Sequence, residues 1–130
     1  MRMILGIVAG VAVAMLCVFG VELVGHGLYP PPEGIDASNP ADLERMMASL
    51  PIGALAFVTV AWFVGALLGG LTANAIARRA LAGWIVALLI IGAGVWTMLM
   101  IPHPVWMWAA GIGLPLIAGW LAQRLARVPV

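Results

Sequence analysis

The sequence predicts an all-α integral membrane protein, a four-helix bundle made of two transmembrane hairpins with a short amphipathic helix on one surface. Three observations predict it. Four apolar runs, at about 3–27, 51–77, 81–101 and 105–126, are each close to the roughly 20 residues a helix needs to cross a hydrocarbon core. Hydrophobic residues make up 65% of the 130 and charged residues only 8%. A soluble domain carries about 25% charged residues, and a soluble fold of this length could not hide so much apolar surface. Finally, the arginines are sorted by side. Arg2, Arg78, Arg79, Arg124 and Arg127 fall at the ends that a four-pass chain places together, and Arg45 alone falls at the other. Positive charge is retained in the cytoplasm during insertion, so both termini are expected inside and the 28–50 loop outside.

The same composition excludes other classes. The net charge is +1, lysine is absent, and no basic patch with interleaved aromatics occurs, so nucleic acid is not an expected partner. The chain reads as one domain, 1–130. The one cysteine, Cys17, lies in an apolar run, cannot form an internal disulfide and reads as a small core residue. Phosphate-cradling and dinucleotide-binding motifs are absent. Ser38 and Ser49 have no base nearby in sequence, so no enzyme is expected and no cofactor can be named.

The first span begins directly after Met1-Arg2. A secretory leader would have an apolar region of only about 7–15 residues. Here the run continues through Val18-Phe19-Gly20-Val21 and is interrupted only at Glu22, so it reads as a retained helix. It stops after Tyr29, because Pro30, Pro31 and Pro32 cannot continue a helix. Residues 33–38 form a turn-rich loop. Asn39 then serves as an N-cap with Pro40 in the first turn, and Asp42 and Glu44 sit near the positive helix end. Leu43, Met46, Met47 and Leu50 fall on one face of this short helix. It is expected flat on the membrane surface or over the mouth of the bundle.

Pro51 opens the second span, which ends at Arg78-Arg79. That very short turn makes the second and third spans antiparallel neighbours. The third ends at Ile101-Pro102-His103-Pro104, and the fourth leaves through Arg124 and Arg127, with Pro115 expected to kink it. Tyr29, Trp106 and Trp108 mark the outer interface, and Trp84 and Trp120 the inner one. Residues 70–78 faintly repeat as 119–127: glycine, two alanines and the final arginine coincide, and Asn74 aligns with Gln123. Duplicated hairpins would produce such a match, and so would the common recurrence of small residues and terminal arginines.

Lipid gives no hydrophobic push between helices, so small residues must let backbones approach. Gly6 and Gly10 form a GxxxG motif in the first span. Gly65 and Gly69 form another in the second, with Gly70 beside it. They suit either a tight hairpin or a seam between copies.

Polar groups inside a bilayer are costly and mark candidate sites. Glu22 and His26 are one helical turn apart near the outer end of the first span. They lie about 160–200° around the axis from Gly6, so they are expected to face a different neighbour. His103 in the outer turn is at similar depth, with Asp36 in the loop above. Three readings of Glu22, His26, His103 and Asp36 compete. One is ion or proton handling, with metal ligation by imidazole and carboxylate as the metal version. The second is a hydrogen-bonded clasp that locks the proline loops over the bundle. The third is plain solvation of His26. The metal, if any, is unknown. Met46, Met47, Met98, Met100 and Met107 also cluster outward; thioethers bind copper(I), but methionine is ordinary gap filler. Thr72, Asn74 and Gln123 form an inner polar group able to hydrogen-bond across helices.

The most individual stretches are Tyr29-Pro30-Pro31-Pro32-Glu33-Gly34-Ile35-Asp36 and Ile101-Pro102-His103-Pro104-Val105-Trp106. With Glu22, His26 and the small-residue end of the second span, they resemble a group of bacterial four-pass inner-membrane proteins with no established activity. The resemblance implies a bacterial inner membrane and an outer face that matters, and it implies no reaction. The expected role is a non-catalytic membrane protein, partnered by the lipid bilayer. It would self-associate as a homo-oligomer or serve as an accessory subunit of a larger membrane assembly. The alternative is a small oligomeric transporter or channel with a proton- or metal-handling site at its outer mouth.

Overall fold

A computed structural model describes residues 1–130. The chain is all-helical, with α1 (Arg2–Leu28), α2 (Pro40–Ser49), α3 (Ile52–Ala77), α4 (Ala80–Met100) and α5 (Val105–Ala126). The helices α1, α3, α4 and α5 are 27, 26, 21 and 22 residues long and apolar enough to cross a membrane. At 1.5 Å per residue they span about 31–40 Å, enough for a hydrocarbon core of about 30 Å. Only 29 of the 130 residues are buried, while Ile4, Leu16, Phe19, Leu23, Trp96 and Leu99 are among many large apolar side chains left exposed. In water such a surface would aggregate; in a bilayer it is the solvated face. The protein is therefore a multi-pass membrane protein built as a four-helix bundle.

Helix α3 is the centre. It packs against α1, α4 and α5, and it supplies ten of the buried residues, from Leu55 to Asn74, where α1 supplies four. The second span, not the first, is contacted on three sides. The reason is its unbroken supply of small residues on more than one face.

The two GxxxG motifs meet each other within the chain. A side chain at Gly6 would come 2.7 Å from the Ala73 carbonyl, one at Gly10 would come 2.6 Å from that of Gly69, and one at Gly65 would come 2.7 Å from Val18. Ala14 fills the step between, fully buried. These rows form an antiparallel backbone seam between α1 and α3, which is the hairpin option of the two that the sequence left open. Gly70 instead faces α5, 3.1 Å from the Ala122 methyl by the same measure.

One large and two polar side chains lock α3, α4 and α5 together. Trp62, 6% exposed, lies against Gly94 of α4 and Gly111 of α5. Asn74 is fully buried, and its Oδ1 accepts the Gly83 N–H at 2.7 Å. Its Nδ2 makes no hydrogen bond, and nothing in the structure explains that. Gln123 accepts from the Trp84 indole at 2.9 Å, which ties α5 to α4 near the arginine end. Thr72 does not cross to another helix; its hydroxyl turns back to the Leu68 carbonyl. Pro115 is buried inside an α5 that runs continuously past it.

The faint repeat has a structural counterpart. Asn74 and Gln123, aligned in sequence, bond to adjacent residues of α4. Arg78 and Arg127, also aligned, both end their helices in the left-handed conformation, at φ 57° and 50°. After Arg127 the tail turns back, and Pro129 accepts the Ala80 N–H at 2.8 Å, capping α4. The five arginines of the sorted set thus gather at one end of the bundle, and Glu33, Asp36, Asp42 and Glu44 lie beyond the other.

Candidate functional site

The loop from Tyr29 to Pro51 builds the acidic end. Asn39 caps α2 as its position suggests, its side chain accepting the Ala41 N–H at 3.0 Å. The apolar stripe of α2 faces the bundle, so this helix covers the mouth and does not lie out on the membrane surface: Met46, Met47 and Leu50 form the roof of a cavity of about 260 Å³. Asp42 tethers the roof. It is the buried residue of α2, and its carboxylate accepts the Asp36 N–H at 3.2 Å and pairs with Arg45.

The walls come from three helices and two turns. In α1, residues 6, 10, 14, 18, 22 and 26 are spaced four apart, so each step rotates the row by about 40° around the axis. The row faces α3 from Gly6 to Val18. Near the acidic end the seam passes to Gly25, against Phe57, and to Tyr29, against Gly53. Glu22 and His26 are thereby turned off the seam and into the cavity. The separate neighbour expected for them is α4 in part, through Thr97 and Ile101, but α3 supplies the opposite wall through Leu55, Phe57 and Val58.

The structure brings together three of the four candidate residues. Glu22, His26 and His103 all line this cavity. Glu22 is half-buried, His26 is exposed at the rim and His103 is half-buried in the turn. The clasp between them is not formed. The chain's ion pair is Asp42–Arg45, and neither histidine bonds to Glu22. His103 Nδ1 lies 2.5 Å from the Ile101 carbonyl, which can only accept, so Nδ1 carries the proton and Nε2 is left for a partner. The Glu22 carboxylate has no partner in the chain. No three His, Cys, Asp or Glu side chains converge closely enough to hold a metal ion, which removes the support for the metal version. The methionines do not converge either: Met98 and Met107 are core residues and only Met46 and Met47 reach the cavity.

Asp36 is the exception. It lies outside the cavity, with its carboxylate accepting the Ser38 N–H at 2.9 Å and the Ser38 hydroxyl at 2.6 Å. These bonds favour the charged form and hold its pKa below the usual carboxylate range. Asp36 is a loop fastener, and the physical reason is local: a short carboxylate two residues before a serine closes a turn on itself. The sign of its pH effect follows. A carboxyl whose folded pKa is depressed stabilises the fold above its unfolded value and loses that contribution as pH falls through the folded one. Protection against amide exchange over residues 36–42, taken relative to the free-amide rate at each pH, is therefore expected to persist from neutral to mildly acid pH and to fall only below the usual carboxylate range. In Asp36→Ala that protection should be lost throughout. Identical exchange in the two proteins would show that the turn does not hold the roof.

Sequence reasoning placed Tyr29 only in an interfacial belt and did not single out Thr97 or Phe57. The Tyr29 and Phe57 rings meet tilted, 6.1 Å apart at 59°, at the cavity wall. A lone hydroxyl in an apolar span was the available signal for Thr97. Its Oγ also bonds to the Ala93 carbonyl at 3.0 Å.

The cavity's lining comes from the acidic end alone. Towards the arginine end the α1–α3 seam is in backbone contact and Trp62, Ala66 and Val86 fill the core, so the hollow is a dead end rather than a pore. The arrangement offers one free carboxylate, two imidazoles and a phenol at the edge of an apolar chamber. No protein-family model matches this chain, and no curated protein or solved structure matches it.

Proposed function

We propose that this chain is a non-catalytic protein of a bacterial inner membrane, with its arginine end in the cytoplasm, and that its outward cavity receives a small ligand. The observation that carries the reading is the convergence of Glu22, His26 and His103 on one roofed cavity, with Glu22 unpaired. A half-buried carboxylate within a membrane-spanning helix that makes no hydrogen bond or ion pair marks a candidate functional site. A dead-end hollow favours binding over conduction. The hydroxyls of Ser49, Thr59 and Thr97 are bonded to backbone carbonyls, which favours a role without nucleophilic chemistry.

Association with copies of itself or with a larger membrane assembly is the companion proposal, supported by small size. The glycine rows no longer argue for it, since they are used up inside the chain, and a seam between copies would need another surface. Native mass measurement after gentle purification tests both. The expected result is a bound small molecule that is lost in Val58→Trp, which fills the cavity. A fixed complex with another protein, unchanged in mass by Val58→Trp and free of small molecules, would replace the ligand reading with a purely accessory one.

A further inference from the structure

We propose that the cavity beneath α2 selects an organic monocation, an ammonium group carrying a compact apolar body, with Glu22 as its counter-ion. This rests on reading the cavity as a ligand site. Charge argues for a cation. Beyond the membrane-spanning part, the acidic end carries Glu33, Asp36, Asp42 and Glu44 against Arg45, four negative charges and one positive, a formal −3. Arg45 is committed to Asp42, so no guanidinium of the chain reaches Glu22, and the basic groups that share its cavity are the imidazoles of His26, one turn away, and His103. The field at the mouth attracts cations and repels anions.

The walls argue for an organic one. Magnesium and calcium need six or more oxygen ligands, and this chamber offers a single carboxylate beside apolar side chains such as Leu50, Leu55 and Val58. Those side chains favour hydrocarbon. The tilted Tyr29–Phe57 pair presents ring surface to a positive charge. Size sets the limit. The cavity is about 260 Å³. That suits a short alkyl- or arylalkylammonium or an amine headgroup, but not an entire lipid.

Calorimetric titration of the full chain in nonionic detergent, against empty micelles, tests this with three probes of like size: 2-phenylethylammonium, 2-phenylethanol and phenylacetate. The ammonium should bind about tenfold or more tighter than the alcohol, and phenylacetate should not bind. Glu22→Gln should bring the ammonium down to the level of the alcohol, and Val58→Trp should abolish both. If the alcohol binds the native protein as tightly as the ammonium, the cation class is wrong while the ligand site stands. If none of the probes binds, with Val58→Trp indistinguishable from native protein, the ligand site itself falls. Should Glu22→Gln fail to fold, the ammonium-to-alcohol ratio on the native protein decides alone. Repeating the titration in phosphatidylcholine bilayers with and without phosphatidylethanolamine assigns the source. Competition points to a lipid headgroup and its absence to a soluble amine, and either result upholds the ammonium class.

Discussion

Gly10→Ala and Gly69→Ala should each destabilise the bundle by about 3 kcal/mol, the upper end of what an added methyl costs in a filled core. The added Cβ would stand 2.6 Å from the Gly69 carbonyl in the first case and 2.5 Å from the Gly10 carbonyl in the second. A flexible side chain could rotate away from such a contact. A helix carbonyl cannot, because it is held in its own hydrogen bond, so the two helices must separate and lose dispersion contacts along the whole seam. Lipid supplies no compensating hydrophobic force. The double variant should cost less than the sum, because the two changes damage one contact. Unfolding in detergent followed by tryptophan fluorescence measures this. Gly20→Ala and Gly92→Ala serve as controls, since nothing lies within 4 Å of either position, and helix propensity alone should leave them neutral or slightly stabilised. If Gly10→Ala proves as stable as these controls, the backbone seam does not exist.

Trp62→Ala should be comparably severe, at about 3–5 kcal/mol. The ring is 6% exposed and is the largest side chain of the core. Its edge fits where Gly94 and Gly111 have no side chains: a Cβ at Gly111 would stand 2.7 Å from the ring and one at Gly94 would stand 3.3 Å away. Removing the indole leaves a void between three helices that can close only by moving all of them. Leucine at the glycine should refill part of that void. Trp62→Ala with Gly111→Leu is therefore expected to be more stable than Trp62→Ala alone, while Gly111→Leu alone should be destabilised by the clash. An additive pair would show that the two positions do not touch.

The fold was legible because a bilayer leaves few options. Runs of 20 or more apolar residues must be helices, as nothing else satisfies the backbone in hydrocarbon. The prolines at 30–32 and at 102 and 104, and the turn at Arg78-Arg79, end them where the structure does. Asn39 and Pro40 mark the start of α2 through chemistry confined to a single turn. Glu22, His26 and His103 could be grouped by depth, which chain position sets directly. Whether they touch could not be read, because depth fixes only one coordinate of three. The turning of the α1 row off the seam at Gly25 depends on how helices sit side by side, and the Asp42 tether depends on the loop folding back onto the first turn of α2. Asp36 was misplaced for a local reason: its carboxylate closes a turn on Ser38, so a place in the loop above the cavity does not put it inside.

By itself, then, the chain determined four apolar spans, the short amphipathic helix, the segregation of arginine from acid and the residues able to approach closely. These are properties of length, hydropathy and local turn chemistry, which act over a few neighbours. The tertiary structure decided that the glycine rows of α1 and α3 meet each other, that α3 occupies the centre, that Trp62 fills the junction of three helices, and that Glu22 faces an open-mouthed cavity beneath α2 without a hydrogen-bond or ion-pair partner. Those outcomes turn on helix rotation and crossing. In lipid these are set by shape fitting between whole faces rather than by any single residue's preference for water or oil.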